Sequence, residues 1–157
     1  MVIAKQMRRY IPSSSDFYYQ DFPYYWLARV QGLYQQQMER ALKRVGTDIP
    51  TWRVLFIHKV HGKCTMTEVA THAVLKLPTL TRIIQRMKAE GLVETNTHAE
   101  DGRVTEVSVT AAGQALIGRI EEATERLFAR SFRQLTPVQI SRLNATLAQL
   151  YDNLSEE

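Results

Sequence analysis

Residues 65–113 constrain this chain more than any other stretch. Thr65 and Glu68 have the spacing of a capping box: the threonine oxygen accepts from a backbone N–H of the first turn, and the glutamate reaches back to the cap. The helix opened in this way runs to about His72, with Val69 and Ala70 apolar. Residues 73–77 break the pattern. Pro78 restarts it, because the first helical position does not need the N–H that proline lacks. Leu80, Ile83, Ile84 and Met87 then fall at i, i+3, i+4 and i+7, one face of a second helix. Gly91 suits the left-handed residue just past its end. Leu92–Glu94 and Val104–Val109 read as two strands around a polar loop, Thr95–Gly102, with Val107 and Val109 facing inward. Helix, turn, helix and hairpin in this order predict a winged helix-turn-helix, mainly α with a small β-wing.

The polar face of the second helix carries the chemistry. At 100° per residue, Pro78, Arg82, Gln85 and Ala89 point away from the apolar stripe, flanked by Thr79, Thr81 and Arg86. Arginine forks onto guanine O6 and N7, and glutamine onto adenine N6 and N7. Threonines near a helix start reach phosphates, beside free backbone N–H groups. Thr67 and Lys76, ahead of this helix, join the candidate set. In the hairpin loop Asp101-Gly102 favours a tight turn. Asp101 is spaced to brace Arg103 and aim its guanidinium outward, toward a minor groove or phosphate. Any one of these residues also fits an ordinary solvated surface. Together, in this order, they point to double-stranded DNA.

These segments resemble the MarR family of transcriptional regulators. The matching residues are Trp52-Arg53-Val54-Leu55, Thr67-Glu68-Val69-Ala70, Leu80-Thr81-Arg82-Ile83-Ile84-Gln85-Arg86-Met87, Gly91-Leu92-Val93, Asp101-Gly102-Arg103 and Val109-Thr110-Ala111-Ala112-Gly113. The resemblance runs over roughly residues 22–154. It implies a homodimer with six helices and one winged hairpin per subunit, bound to a pseudo-palindromic operator. It also implies a repressor, commonly released by a small phenolic or aromatic-acid ligand, held between the dimerisation helices and the DNA-binding lobe. The chain departs from the family in its wing: Glu94 and Thr95 stand where basic residues are common, leaving His98 and Arg103 as its candidates for positive charge.

The remainder fits one domain of 157 residues. Residues 1–46 and 111–157 are expected to supply dimerisation helices, and 47–110 the winged lobe. Residues 1–16, with Pro12 and a serine run, read as an irregular arm. Apolar stripes predict helices at about 22–45, 50–61, 111–134 and from 137 onward; Trp52, Leu55, Phe56 and Val60 of the second are expected in the core, whereas the stripes of the first and the last two are too extensive to bury within one small subunit and suit a helical dimer interface. The net charge of +4 suits a polyanion partner. No apolar run is long enough to span a membrane, and no secretory signal is evident, so a cytoplasmic protein is expected. Glycine-rich phosphate loops, nucleophile elbows and paired carboxylates are absent, which argues against an enzyme, and no cofactor motif stands out.

Three constellations bear on a signal. Seven aromatics lie between Phe17 and Trp26. Tyr24, Tyr25 and Trp26, with Arg53 for a carboxylate, are candidates to hold a planar ligand, against the alternative that they pack a dimer interface. Cys64, beside Lys63 and the Thr65 cap, is a candidate redox switch, against the alternative of a small packed residue. His58, His61 and Cys64 are spaced three apart, but Gly62 interrupts the helix, so no metal site is expected. A winged helix serving only as a protein-interaction scaffold is the competing class, disfavoured by the charge of the Arg82, Gln85 and Arg86 face.

Overall fold

The computed structural model describes residues 5–97 and 101–155. These residues form α1 (Pro23–Arg44), α2 (Ile49–His61), β1 (Cys64–Thr65), α3 (Met66–Ala73), α4 (Leu77–Ala89), β2 (Val93–Thr97), β3 (Thr105–Val109), α5 (Ala111–Ser131) and α6 (Pro137–Ser155). Two short 3-10 turns, Lys5–Tyr10 and Tyr19–Asp21, precede α1. The chain divides into two compact units, Met1–Thr124 and Glu125–Glu157, so α5 contributes to both.

Local signals account for most helix starts. Asp48 caps α2, accepting from the Thr51 N–H at 2.9 Å. The capping box of α3 is complete: Thr65 Oγ1 accepts from the Glu68 N–H at 3.2 Å, and Glu68 Oε2 accepts from the Thr65 N–H at 2.7 Å. Pro78 lies one residue inside α4, behind Leu77, because Lys76 takes the cap position in extended backbone. Gly91 has φ +72°, the left-handed conformation that a side chain would strain. Residues 5–16, expected to be irregular, include a 3-10 turn, and Arg9 Nε donates to Asp21 Oδ2 at 2.9 Å.

The core of the first unit joins apolar residues from many elements. Met38 and Leu42 of α1, Val54 and Leu55 of α2, Val69 of α3, Leu80 and Met87 of α4, Val93 and Val107 of the sheet, and Ile120 of α5 are all buried. The sheet order is β1-β3-β2, antiparallel throughout. Its hairpin exceeds the sequence expectation: β2 continues through Thr97, where Asn96 pairs with Glu106 and Thr97 with Thr105. Ladder pairing holds polar residues in a strand that their own preferences disfavour. The two-residue β1, not expected at all, exists because Cys64 and Thr65 pair with Val107 and Glu106.

His58 joins helix to wing. Its buried ring places Nδ1 2.8 Å from the Val54 carbonyl and Nε2 3.0 Å from the Val107 carbonyl, tying α2 to β3. Both nitrogens face backbone oxygen, while the His61 ring stacks on His72 with centroids 4.2 Å apart. Among the described residues no three histidine, cysteine, aspartate or glutamate side chains gather as metal ligands. No helix of the described residues is long and apolar enough to cross a membrane.

Candidate nucleic-acid interface

The outer face of α4 is bare. Pro78, Thr79, Arg82 and Gln85 are exposed, as is Lys76 ahead of the helix, while Leu80, Ile84 and Met87 on the opposite face are buried. No hydrogen bond or ion pair among the described residues engages the Arg82 or Gln85 side chain, so both are available to a partner. Thr81 is half-buried, and its hydroxyl donates to the Leu77 carbonyl at 2.9 Å, the ordinary bond of a helical threonine.

A groove of about 510 Å³ lies between α4 and the wing. It brings together Thr67, Thr81, Gln85 and Arg103 from the sequence-predicted set. It adds Lys88, Thr95 and Thr105, which the sequence reading missed. The signal for Lys88 was present, since Thr81, Gln85 and Lys88 fall at i, i+4 and i+7. Lys88 Nζ donates to Thr95 Oγ1 at 2.8 Å, so a helix lysine supplies positive charge beside a wing that has little of its own. The Arg103 side chain is 95% exposed, with Nε 3.6 Å from Asp101 Oδ1, and its backbone N–H donates to the same oxygen at 3.0 Å. Asp101 therefore acts as the expected brace. His98 lies outside the described residues.

Arg86 departs from the sequence reading. Instead of joining the free polar face, it reaches back to the start of α2. Its guanidinium lies 2.7 Å from Asp48 Oδ2 and donates to Thr51 Oγ1 at 3.0 Å. The periodicity put Arg86 on the correct flank of the helix, but an acceptor 38 residues away claims it. Arg86 therefore fixes α4 to the start of α2. Partial burial pushes the Asp48 carboxyl up, but the Thr51 N–H and hydroxyl and the Arg86 charge outweigh it and hold the group below its ordinary value. A depressed carboxylate contributes stability that is complete above its unfolded pKa, about 3.9, and is lost as pH falls through its folded value. Asp48→Ala is expected to cost about 1 kcal/mol, mostly through the lost cap, since a half-exposed ion pair adds little. Urea denaturation at pH 7 measures this. Repeated at acid pH, the gap between parent and variant should narrow, since the protonated carboxyl keeps an oxygen for the Thr51 N–H but loses its charge.

Cys64 is buried on β1, its thiol 3.6 Å from the Gly62 carbonyl. Burial, and then the Glu68 charge, push the thiol pKa up, the direction opposite to activation. Lys63, expected to activate it, turns to Glu106 at 3.1 Å. The setting is that of a packed residue.

A second cavity, about 470 Å³, opens beside α2. Gln31 and Tyr34 come from α1, Trp52, Arg53, Phe56, Ile57, Val60 and His61 from α2, and His72, Ala73 and Val74 from α3 and its end. Trp52 and Phe56 stack at 5.6 Å, and Tyr34 meets Trp52 edge-on at 6.5 Å. Arg53 Nη1 donates to the Ala73 carbonyl at 3.3 Å. Burial pushes the Tyr34 phenol up, and the Arg53 charge partly offsets this. Of the four ligand candidates, Arg53 lines this cavity and Tyr24, Tyr25 and Trp26 do not. Those three pack against their own neighbours: Tyr25 meets Tyr19 and Trp26 at 5.1 Å each, and Trp26 Nε1 donates to the Gln20 carbonyl at 2.8 Å. The aromatic wall comes instead from Trp52 and Phe56, one turn apart on α2, and from Tyr34 on α1, 18 residues before Trp52 and so outside any local cluster.

Comparison with known proteins agrees with this architecture. A MarR family profile matches residues 45–104. The chain is 50% identical over 143 residues to the HTH-type transcriptional repressor IacR of Pseudomonas putida, covering 91% of this chain and 86% of that protein. A MarR-family transcriptional regulator from Silicibacter pomeroyi superposes with a TM-score of 0.79 at 23% identity, over 89% of this chain and 94% of that one. A mutant of MarR from E. coli, solved in complex with operator DNA, superposes with a TM-score of 0.71 at 20% identity, over 80% and 90% of the two chains. The arrangement of helices and wing around the groove, and the extent of this identity, lead to one conclusion: the chain belongs to the MarR family of winged helix-turn-helix DNA-binding transcriptional regulators.

Proposed function

We propose that the protein is a homodimeric repressor that occupies a pseudo-palindromic operator and is released by a planar aromatic acid. The observation that carries the DNA reading is the unengaged Arg82 and Gln85 face of α4, continuous with a groove that ends at the exposed Arg103. In this reading α4 enters the major groove with Arg82 and Gln85 toward base edges. Lys76, Pro78, Thr79, Thr81 and Thr67 approach the backbone, and Arg103, braced by Asp101, reaches the flanking minor groove. Lys88 joins the phosphate contacts. Repression is supported by the likeness to IacR.

Dimerisation is supported by unburied apolar surface. α6 buries none of its residues within the chain, and Val138, Leu143, Tyr151 and Leu154 are exposed on it. The effector reading rests on the second cavity, whose aromatic walls and single guanidinium suit a flat ring carrying a carboxylate. Cytoplasmic residence follows from the role.

Selection of bound duplexes from a random pool tests the DNA reading. An inverted repeat with half-sites roughly 34 Å apart is the expected product. Sequence-blind, salt-labile binding alone would defeat it and favour a protein partner. Arg103→Ala should weaken binding about equally across sequences and lower the magnitude of the salt slope by about one. If affinity and slope are both unchanged, the wing makes no phosphate or groove contact.

A further inference from the structure

The second cavity and the turn of the helix-turn-helix share residues. Val74, the first residue after α3, has φ 54° and ψ 47°. Among the described residues, only it and Gln134 are non-glycine residues with positive φ. A β-branched side chain is a poor occupant of that region, and Val74 gains no burial in return, since it is 84% exposed. What holds it there is local: the Val74 N–H donates to the Thr71 carbonyl at 3.1 Å and the Leu75 N–H to Ala70 at 2.9 Å. One side-chain tie from another helix joins them, from Arg53 Nη1 to the carbonyl of Ala73. Its cation stands at the carbonyl end of α3, where the helix dipole favours positive charge. Arg53, Ala73 and Val74 all line the cavity, and α4 begins at Leu77, three residues beyond Val74.

We infer that Arg53 couples the cavity to the reading helix by choosing between two acceptors. In one arrangement, the one seen here, the guanidinium holds the Ala73 carbonyl and the strained turn is closed. An aromatic carboxylate in the cavity competes for the same donors. Once Arg53 turns to it, the α3–α4 turn loses its tie and opens at Val74, and α4 is no longer held in one orientation. A charged acceptor outbids a backbone carbonyl for a guanidinium, whereas an uncharged ring of the same shape does not. The differential contact is therefore the carboxylate itself, and any shift it causes is limited by its preference for the open turn. The inference rests on the reading of this cavity as an effector site.

Amide hydrogen exchange of the full-length protein tests the coupling without DNA. Naphthalene-2-carboxylate is the probe and its uncharged amide the control, with Trp52 fluorescence in a Trp26→Phe background reporting occupancy. Saturating naphthalene-2-carboxylate should speed exchange at the Val74 and Leu75 amides several-fold, and the amide should not. Arg53→Gln should speed the same two amides with no probe present, while leaving exchange in the buried stretches of α1 and α5 unchanged. Adding Val74→Gly, which removes the strain, should slow them again. Turn exchange in Arg53→Gln equal to the parent would overturn the coupling, whatever the probe does. If the carboxylate fails to alter Trp52 fluorescence while Arg53→Gln still loosens the turn, the effector reading falls and the tie between Arg53 and the turn stands.

Discussion

Replacing Arg82 with alanine is expected to weaken binding to the selected operator by about 1–3 kcal/mol and to relax base preference at one position of each half-site. The expectation follows from isolation. Arg82 projects from the exposed face of α4, and no partner among the described residues shares its guanidinium, so nothing within the chain compensates for its loss and nothing within the chain depends on it. Folding stability should therefore be unchanged, which separates Arg82 from Arg86. Arg86→Ala releases the tie to Asp48 and Thr51 and should affect helix placement across every operator position. Competition binding against operators substituted one base pair at a time distinguishes them. A loss from Arg82→Ala that is equal for all operators would assign that arginine to phosphate.

Gly113→Ala should destabilise the fold by about 1–3 kcal/mol, the usual cost of overpacking, seen as a Tm lower by roughly 2–4 °C per kcal/mol. A methyl group at this position would sit 2.3 Å from the Leu92 carbonyl oxygen and 2.5 Å from Val109 Cγ1. The first of these is backbone, fixed by the Thr110 N–H at 3.1 Å, and cannot swing aside. Around it the Thr110 hydroxyl donates to the Gly91 carbonyl at 2.6 Å and accepts from the Gly113 N–H at 3.1 Å. The first turn of α5 is thus pressed against the base of the wing. Gly118→Ala is the internal control: it lies in the same helix with open space around it, and alanine there should stabilise by up to about 1 kcal/mol. Thermal unfolding of the two variants should move in opposite directions.

The parts of this molecule that are set by nearest neighbours were legible in the sequence. The Thr65–Glu68 capping box, the α4 stripe, the left-handed Gly91, the Asp101 brace and the order of elements all depend on spacings of a few residues. What was not legible depends on partners far along the chain. Arg86 is claimed by Asp48, β1 exists only through β3, and the aromatic wall is assembled from α1 and α2. The dense run Tyr24-Tyr25-Trp26 drew attention by its composition, while the single residues Tyr34, Trp52 and Phe56 line the cavity. Val74 is the sharpest case, since no propensity favours valine in a left-handed turn and only the surrounding bonds impose it.

α6 has a consequence for measurement. None of the nineteen residues of this helix is fully buried within its own chain, where Ile140, Leu147 and Leu150 are only half-buried, and a lightly packed helix is marginal in water. Where a second copy supplies the missing burial, its order is bought by mass action, so both the melting temperature and helical content depend on protein concentration. Operator occupancy then rises with roughly the square of subunit number while monomers predominate. A modest change in the number of molecules in the cell would move transcription more steeply than any single-site isotherm allows.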